Sequence, residues 1–406
     1  MITEELDDLL ASSVVRDPYP YYAALREKPV RWNPRWRGWV VTGYPECRAV
    51  LRDAATFSSE KLRNYSGSGR AGRLDRYPNL DLIGTWVSFV DPPDHTRLRR
   101  LLAKAFTPRA VEELVPTMRR LAGNLVAGLP VGREVDLVPA LTYPFPLAVI
   151  SALLGLPDGD AERIKAWSDD LLPVVLGGSA TSDRYRRADR ALGELAGYLR
   201  AEIAARRRAP REDLITALVR ARDGDRALTE DELVGSCMIL LFGGHETSSN
   251  LLANALLALN DHPEQAARLL AEPELTGPAV EEFLRYDGPT KGAVRWARTG
   301  TAVGGQPVEA GQRLLVLVAA ANRDGRQFTE PDVLRLDRTP NPHLEFGVGI
   351  HHCLGAALAR AEAAVLLPVL LDRFAGIEVE TGRLDWEPTI LSRSLRRLPV
   401  VLRRAR

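Results

Sequence analysis

From Thr229 to His262 no proline interrupts the chain. The stretch opens with Thr229-Glu230-Asp231-Glu232, the S/T-x-x-E order of a capping box. This predicts a helix over 230–260 of about 31 residues, roughly 46 Å long at 1.5 Å per residue. Such a length matches the width of a whole domain, so the helix has to run through the core. Its middle, Cys237-Met238-Ile239-Leu240-Leu241-Phe242, is apolar all round, as burial requires.

The rest of the chain is read around that helix. Thr107 before Pro108 fits an N-cap with proline at the first helical position. Residues 136–154, 160–176, 183–207 and 211–221 have helical composition, broken at Pro157-Asp158-Gly159 and Ala209-Pro210. Val30-Arg31-Trp32 and Gly38-Trp39-Val40-Val41-Thr42 read as a strand pair around Asn33-Pro34. Short Val-rich strands are expected near 293–297, 302–309 and 313–318, and a last helix from just after Cys353 to about Arg373. The expected class is mainly α with a minor β region, as a single domain over 1–406.

Composition excludes several classes. Lys and Arg number 54 against 53 Asp and Glu, a net charge of +1. That argues against a nucleic-acid binder held by bulk charge. Hydrophobic residues at 45% of 406 are enough for a large core and too many for a disordered chain. Cys47, Cys237 and Cys353 are far apart and odd in number, so no disulfide framework is expected and a reducing, cytoplasmic compartment is. Glu4, Glu5, Asp7 and Asp8 are incompatible with a basic leader. No apolar run approaches the ~18 residues that span a bilayer, so no membrane association is expected.

Several motif matches fail on context. Gly67-Ser68-Gly69-Arg70-Ala71-Gly72 satisfies G-x-G-x-x-G but has no strand before it and no apolar helix after it, so it reads as a loop. His245-Glu246 begins a zincin-like H-E-x-x-H, but position 249 is Ser. His351-His352-Cys353 are contiguous and converge poorly on one tetrahedral ion, and no second cluster completes a zinc site.

Phe346-Gly347-Val348-Gly349-Ile350-His351-His352-Cys353-Leu354-Gly355 carries chemistry. Its glycines let the backbone turn tightly and approach something flat. A single cysteine then stands at the mouth of a helix, where N–H groups and the dipole favour a thiolate. A sheltered thiolate is a good axial ligand for haem iron. The decapeptide closely resembles the haem-ligating signature of the cytochrome P-450 family, F-G-x-G-x-H-x-C-L-G, at every fixed position. Glu282-Phe283-Leu284-Arg285 resembles the family's E-x-x-R, and Gly243-Gly244-His245-Glu246-Thr247-Ser248 its oxygen-activation motif. Asp91-Pro92-Pro93-Asp94-His95-Thr96-Arg97-Leu98-Arg99 resembles the helix crossing the haem edge. Ala321-Asn322-Arg323-Asp324 and Leu358-Ala359-Arg360 are similar to family segments as well.

The resemblance implies a cytochrome P-450 fold with its long central helix over haem b (iron protoporphyrin IX). Cys353 would ligate the iron. His95, Arg99, Arg295 and His351 would bind the propionates through charge-assisted hydrogen bonds. Phe346, Gly347, Gly355, Gly243 and Gly244 would pack against the ring. Glu282 and Arg285 would pair with Arg338 in a structural role. Thr247 and Glu246 would deliver protons, Thr247 bonding back to the carbonyl of 243 and helping the glycine pair open the helix.

The implied activity is a haem-thiolate monooxygenase that inserts one oxygen atom from O2 into a small organic substrate, a bulky secondary metabolite. No flavin or iron–sulfur motif is present, so electrons would arrive through a ferredoxin and an NAD(P)H-linked ferredoxin reductase. The basic run Arg97, Arg99, Arg100, Lys104 and Arg109 is the expected docking face. Competing readings are peroxide use or atypical oxidation such as coupling or nitration on the same fold, and a non-catalytic haem sensor. The retained Glu246-Thr247 pair favours the dioxygen route, and no sensor output segment is visible. Pocket walls are expected from 61–90, 170–185, Thr290, Lys291, Gly292, Ala293, Val294 and the turn at Thr389-Ile390-Leu391. Small side chains at 292–294 would leave room above the haem.

Overall fold

The computed structural model describes residues 7–61, 76–178 and 181–404. The glycine motif at 67–72 and residues 62–75 of the expected 61–90 wall lie outside the described residues. Helix accounts for 57% and strand for 13% of the structure, as the mainly-α class requires.

The long helix is Glu230–Asp261, 32 residues, opened by the complete capping box. Thr229 Oγ1 accepts from Glu232 N at 3.3 Å, and Thr229 N donates to the Glu232 carboxylate at 2.9 Å. The helix is buried along most of its length. It packs against helices Pro144–Leu154, Arg184–Arg208, Thr276–Asp287 and Ala356–Arg373. Helices Ala161–Val175 and Leu214–Arg220 also lie where the sequence places them. Thr107 caps Pro108–Gly128 by accepting from Ala110 N at 3.2 Å.

Three differences from expectation have local causes. Residues 136–154 are not one helix: a strand Glu134–Asp136 and a wide turn Val138–Thr142 precede Pro144–Leu154. Pro144 lacks an N–H to continue a preceding helix and so starts a new one. The 302–309 strand is a hairpin of Thr301–Val303 and Gln306–Val308, turned at Gly304-Gly305. The strand expected over 313–318 ends at Val316, and Val318–Ala321 forms a helical turn.

The main sheet has five strands in the order Val30–Asn33, Gly38–Val41, Arg313–Val316, Ala293–Ala297, Phe57–Ser58. The hairpin pairs Val30 with Val41 and Asn33 with Gly38, and Gly38–Val41 runs parallel to Arg313–Val316. Strand Ala293–Ala297 therefore enters the interior with its neighbours fixed on both sides. Among the described residues no helix is long and apolar enough to cross a membrane.

Candidate active site

The loop before helix Ala356–Arg373 is shaped by its own backbone. Cys353 N donates to Phe346 O at 2.8 Å, and His352 N to Gly349 O at 3.1 Å. Gly347 and Gly349 have φ of +66° and +82°, a region that side chains disfavour. A Cβ on Gly349 would also stand 3.1 Å from Leu51 O. The loop thus presents Cys353 to a cavity, whereas Cys47 and Cys237 are buried core thiols. Burial pushes the Cys353 thiol up; the Gly355 N–H, Arg99 and then Arg360 act in the thiolate's favour.

The cavity encloses about 1500 Å³ of empty space, its open mouth included. Gly243, Gly244 and Thr247 of the long helix form one wall, and Phe346, Gly347, Cys353 and Gly355 face in from the loop. Thr290, Gly292, Ala293, Val294 and Arg295 line a third side. Lys291 and Ile390 do not line it, against expectation. Lys291 turns its ammonium away to Thr389 O at 2.9 Å, and burial pushes it down to about 7. Ile390 packs over Gly177, and Leu391 and Ser392 take its place in the wall. Gly292 is small for a different reason from the expected one: a Cβ there would meet Val316 O at 2.4 Å.

One edge of this site gathers bases. The His95 and His351 rings lie 4.4 Å apart, and both nitrogens of buried His95 have no hydrogen-bond partner among the described residues. His351 Nε2 meets Ser59 Oγ at 3.0 Å. Burial pushes His95, Arg99, Arg295 and His351 below their ordinary values, Arg295 to about 10 and His351 to about 3. Neighbouring cations add to this at His95 and His351. Asp91, the nearby acid, is already engaged by Ser58, Ser59 and Arg298.

Thr247 and Glu246 of the long helix point to different faces. Thr247 faces the cavity and donates to Gly243 O at 2.8 Å. The helix nevertheless continues unbroken through 243–244. Gly244 serves close packing instead, since a Cβ there would stand 2.9 Å from Ile150, while Gly243 borders the cavity. Glu246 does not line the cavity. Adjacent helical residues point about 100° apart, and Glu246 is turned to the Tyr143 hydroxyl at 3.3 Å. That hydroxyl also meets His245 Nε2 at 3.0 Å, while His245 Nδ1 donates to Leu241 O at 2.6 Å.

Behind the cysteine loop, Glu282 is fully buried and accepts from two guanidinium groups. Arg285 binds both its oxygens at 2.7 Å, and Arg338 Nε approaches them at 3.1 and 3.0 Å. Asn341 and Arg335 N add two more donors, neither anticipated from sequence. Asn322 accepts from Leu344 N at 2.7 Å and so pins the start of the loop.

The sequence profile of the family described as Cytochrome P450 matches residues 71–397. The chain belongs to the cytochrome P450 family. It is 39% identical to the cytochrome P450 monooxygenase PikC of Streptomyces venezuelae, over 98% of this chain and 94% of that one. It is 33% identical to the polyketide biosynthesis cytochrome P450 PksS of Bacillus subtilis, over 92% and 91%. A solved structure of P450BioI in complex with acyl carrier protein ligated by hexadec-9Z-enoic acid superposes with a TM-score of 0.89 at 33% identity, covering 96% of this chain and 99% of that one. This P450 is accordingly an oxidoreductase of the monooxygenase type.

The family implies a haem cofactor, and the residues present fit one. A sulfur donor faces a wall whose glycines leave a flat space: a Cβ on Gly243 would touch only Ile239, at 3.8 Å. The edge holds a buried imidazole, both of whose nitrogens are unpartnered among the described residues, and a buried guanidinium, Arg295, bonded among those residues only to the Val294 carbonyl. Such groups suit carboxylates.

The basic run on this P450 is less free than its sequence suggests. Arg97 pairs with Glu232, Arg100 with Asp223 at 2.7 Å, and Arg109 with Glu113 at 2.8 Å. Lys104 donates to Arg222 O at 2.8 Å. Sequence reasoning also passed over Glu345, whose carboxyl lines the cavity and is pushed up to about 8 by burial. No spacing rule marks it, because the contact partner, Thr290 N, is 55 residues away.

Proposed function

We propose that this P450 binds haem b in the cavity, as one unit spanning the chain, and inserts one atom of O2 into a small organic substrate. The observation that carries this is the opening of Cys353 and Thr247 into one cavity that Arg295 and His351 also line, with the His95 ring 4.4 Å from that of His351. When bound, haem supplies the oxidising chemistry, drawing on O2, two electrons and two protons. Cys353 Sγ is the iron ligand. His95, Arg99, Arg295 and His351 hold the propionates, and Phe346, Gly347, Gly355, Gly243 and Gly244 border the ring. The reduced protein under CO should show a strongly red-shifted Soret band; an ordinary haem spectrum, or none, overturns the reading.

Thr247 holds the proton step. Its hydroxyl donates to Gly243 O, which leaves the oxygen lone pairs to accept from a water in the cavity and hold that water as the proton source. Glu246 joins this relay by turning from Tyr143 toward Thr247. In Thr247→Ala, haem and substrate binding should persist and NAD(P)H consumption through the partner chain should continue. Product per electron should fall by about tenfold or more while peroxide rises. Unchanged product per electron removes Thr247 from the mechanism and favours the peroxide-using or non-oxygenating alternatives.

Electrons come from an acidic ferredoxin and its reductase. Arg100, 54% exposed despite Asp223, and Lys104 remain on the surface of helix Asp94–Ala105, which also carries His95. Arg100→Glu with Lys104→Glu should slow ferredoxin-driven turnover most at low salt, because exposed charges are screened beyond ~10 Å at 0.1 M. Peroxide-driven turnover should barely change; equal losses in both assays mean that the face is structural. The substrate is a secondary metabolite, a reading supported by the relative named for polyketide biosynthesis. The compartment is the cytoplasm, supported by three free cysteines.

A further inference from the structure

Lys61 is a cation in the cavity that the haem reading does not use. Its ammonium donates to Val174 O at 2.8 Å and Val175 O at 2.9 Å, the last carbonyls of helix Ala161–Val175. It stands 5.5 Å from the centre of the Phe89 ring. Lys61, Phe89 and Val175 line the same cavity as Cys353 and Thr247.

Buried charge is costly unless it is paired, and this one is badly matched. Among the described residues the charged group that bears on Lys61 is another cation, Arg184, and no carboxylate does. Arg184 is itself turned to the Tyr185 ring and hydroxyl, and no acid among the described residues pairs with it. By contrast, Arg187 and Arg190 on the same helix are both held by Asp170. Burial, with Arg184 adding to it, pushes the Lys61 ammonium down to about 8. Two of its three protons are taken by the helix carbonyls, which leaves one donor for the cavity. The neighbouring wall is apolar, from Leu176, Leu251, Val294 and Leu391.

We propose that Lys61 seats the carboxylate of an otherwise apolar substrate acid in this cavity. The charge balance favours a monoanion: one ammonium with one free proton matches a carboxylate better than a phosphate dianion. The proposal deepens the monooxygenase reading and rests on it for what happens to the substrate, but not for the binding itself. In this arrangement the acid group fixes one end of the guest while Thr247 and Cys353 border another part of the same space.

The test uses the ferric holoenzyme and two matched probe pairs, dodecanoate with methyl dodecanoate and abietate with methyl abietate. Dissociation constants are read by equilibrium dialysis, which needs neither turnover nor a spin shift. At least one acid should bind about tenfold more tightly than its ester to the wild type, as a charge-assisted hydrogen bond allows. Lys61→Met should bring that pair to within about twofold, and Lys61→Arg should keep the preference. If no acid out-binds its ester, whether both bind or neither does, the proposal falls. It falls as well if Lys61→Met weakens acid and ester equally, since Lys61 is then only a clasp between two segments. The red-shifted CO band, recorded on every sample, reports the haem-thiolate reading separately and confirms that each variant is folded.

Discussion

Replacing Cys353 by alanine should leave a folded protein whose reduced form under CO has lost the red-shifted band and whose turnover is abolished. The sulfur is not a structural contact. It opens to the cavity, and the loop that carries it is set by backbone bonds from Cys353 N to Phe346 O and from Gly347 N to Leu344 O, both 2.8 Å, which alanine retains. The stability change should therefore be less than about 1 kcal/mol. Among the described residues no other cysteine and no methionine lines the cavity, so none of them offers another sulfur. Cys237→Ala is the matching control. That thiol is buried in the long helix away from the cavity, so its loss should lower stability and leave the band in place. A red-shifted band that survives in Cys353→Ala would mean that a different side chain holds the iron.

What could be read from the sequence follows from how far each interaction reaches along the chain. The long helix was legible because its cap, its apolar middle and its freedom from proline are all local. The decapeptide was legible because a left-handed glycine, a cysteine and a helix start are joined by short-range backbone bonds. Direction was less accessible. Thr247 and Glu246 are neighbours, yet one faces the cavity and the other faces Tyr143, and the motif alone does not rotate the helix. Lys291 stands between two lining residues and turns to Thr389 O, which is 98 residues away. The basic run looked free because Asp223 and Glu232, which neutralise Arg100 and Arg97, lie more than 100 residues further on. Lys61 drew no attention for the same reason. Its significance is that no acid among the described residues bears on it in space, which no linear pattern reports.

Glu282→Ala should be the most destabilising single substitution in the cysteine-loop support. The carboxylate is fully buried and takes donors from Arg285, Arg338, Asn341 and the backbone of Arg335. Each arginine spends its remaining donors on loop carbonyls: Arg285 on Asn322, Pro331 and Val333, and Arg338 on Thr329, Glu330 and Val333. One carboxylate thus holds together the helix Thr276–Asp287 and the 329–341 segment that leads to Cys353. Removing it leaves two buried guanidinium groups facing each other without a counter-ion. Breaking a buried pair from one side costs about 3–5 kcal/mol, a large part of the 5–15 kcal/mol typical of a folded protein. Denaturant unfolding should show that loss as a lower midpoint, and the purified variant should carry little haem because the loop is no longer held. Glu282→Gln keeps two acceptor positions' worth of shape but only one carbonyl oxygen, so its loss should be smaller. Equal haem content in Glu282→Ala and the wild type would show that the backbone alone holds the loop, and would remove the carboxylate from the account of how Cys353 is positioned.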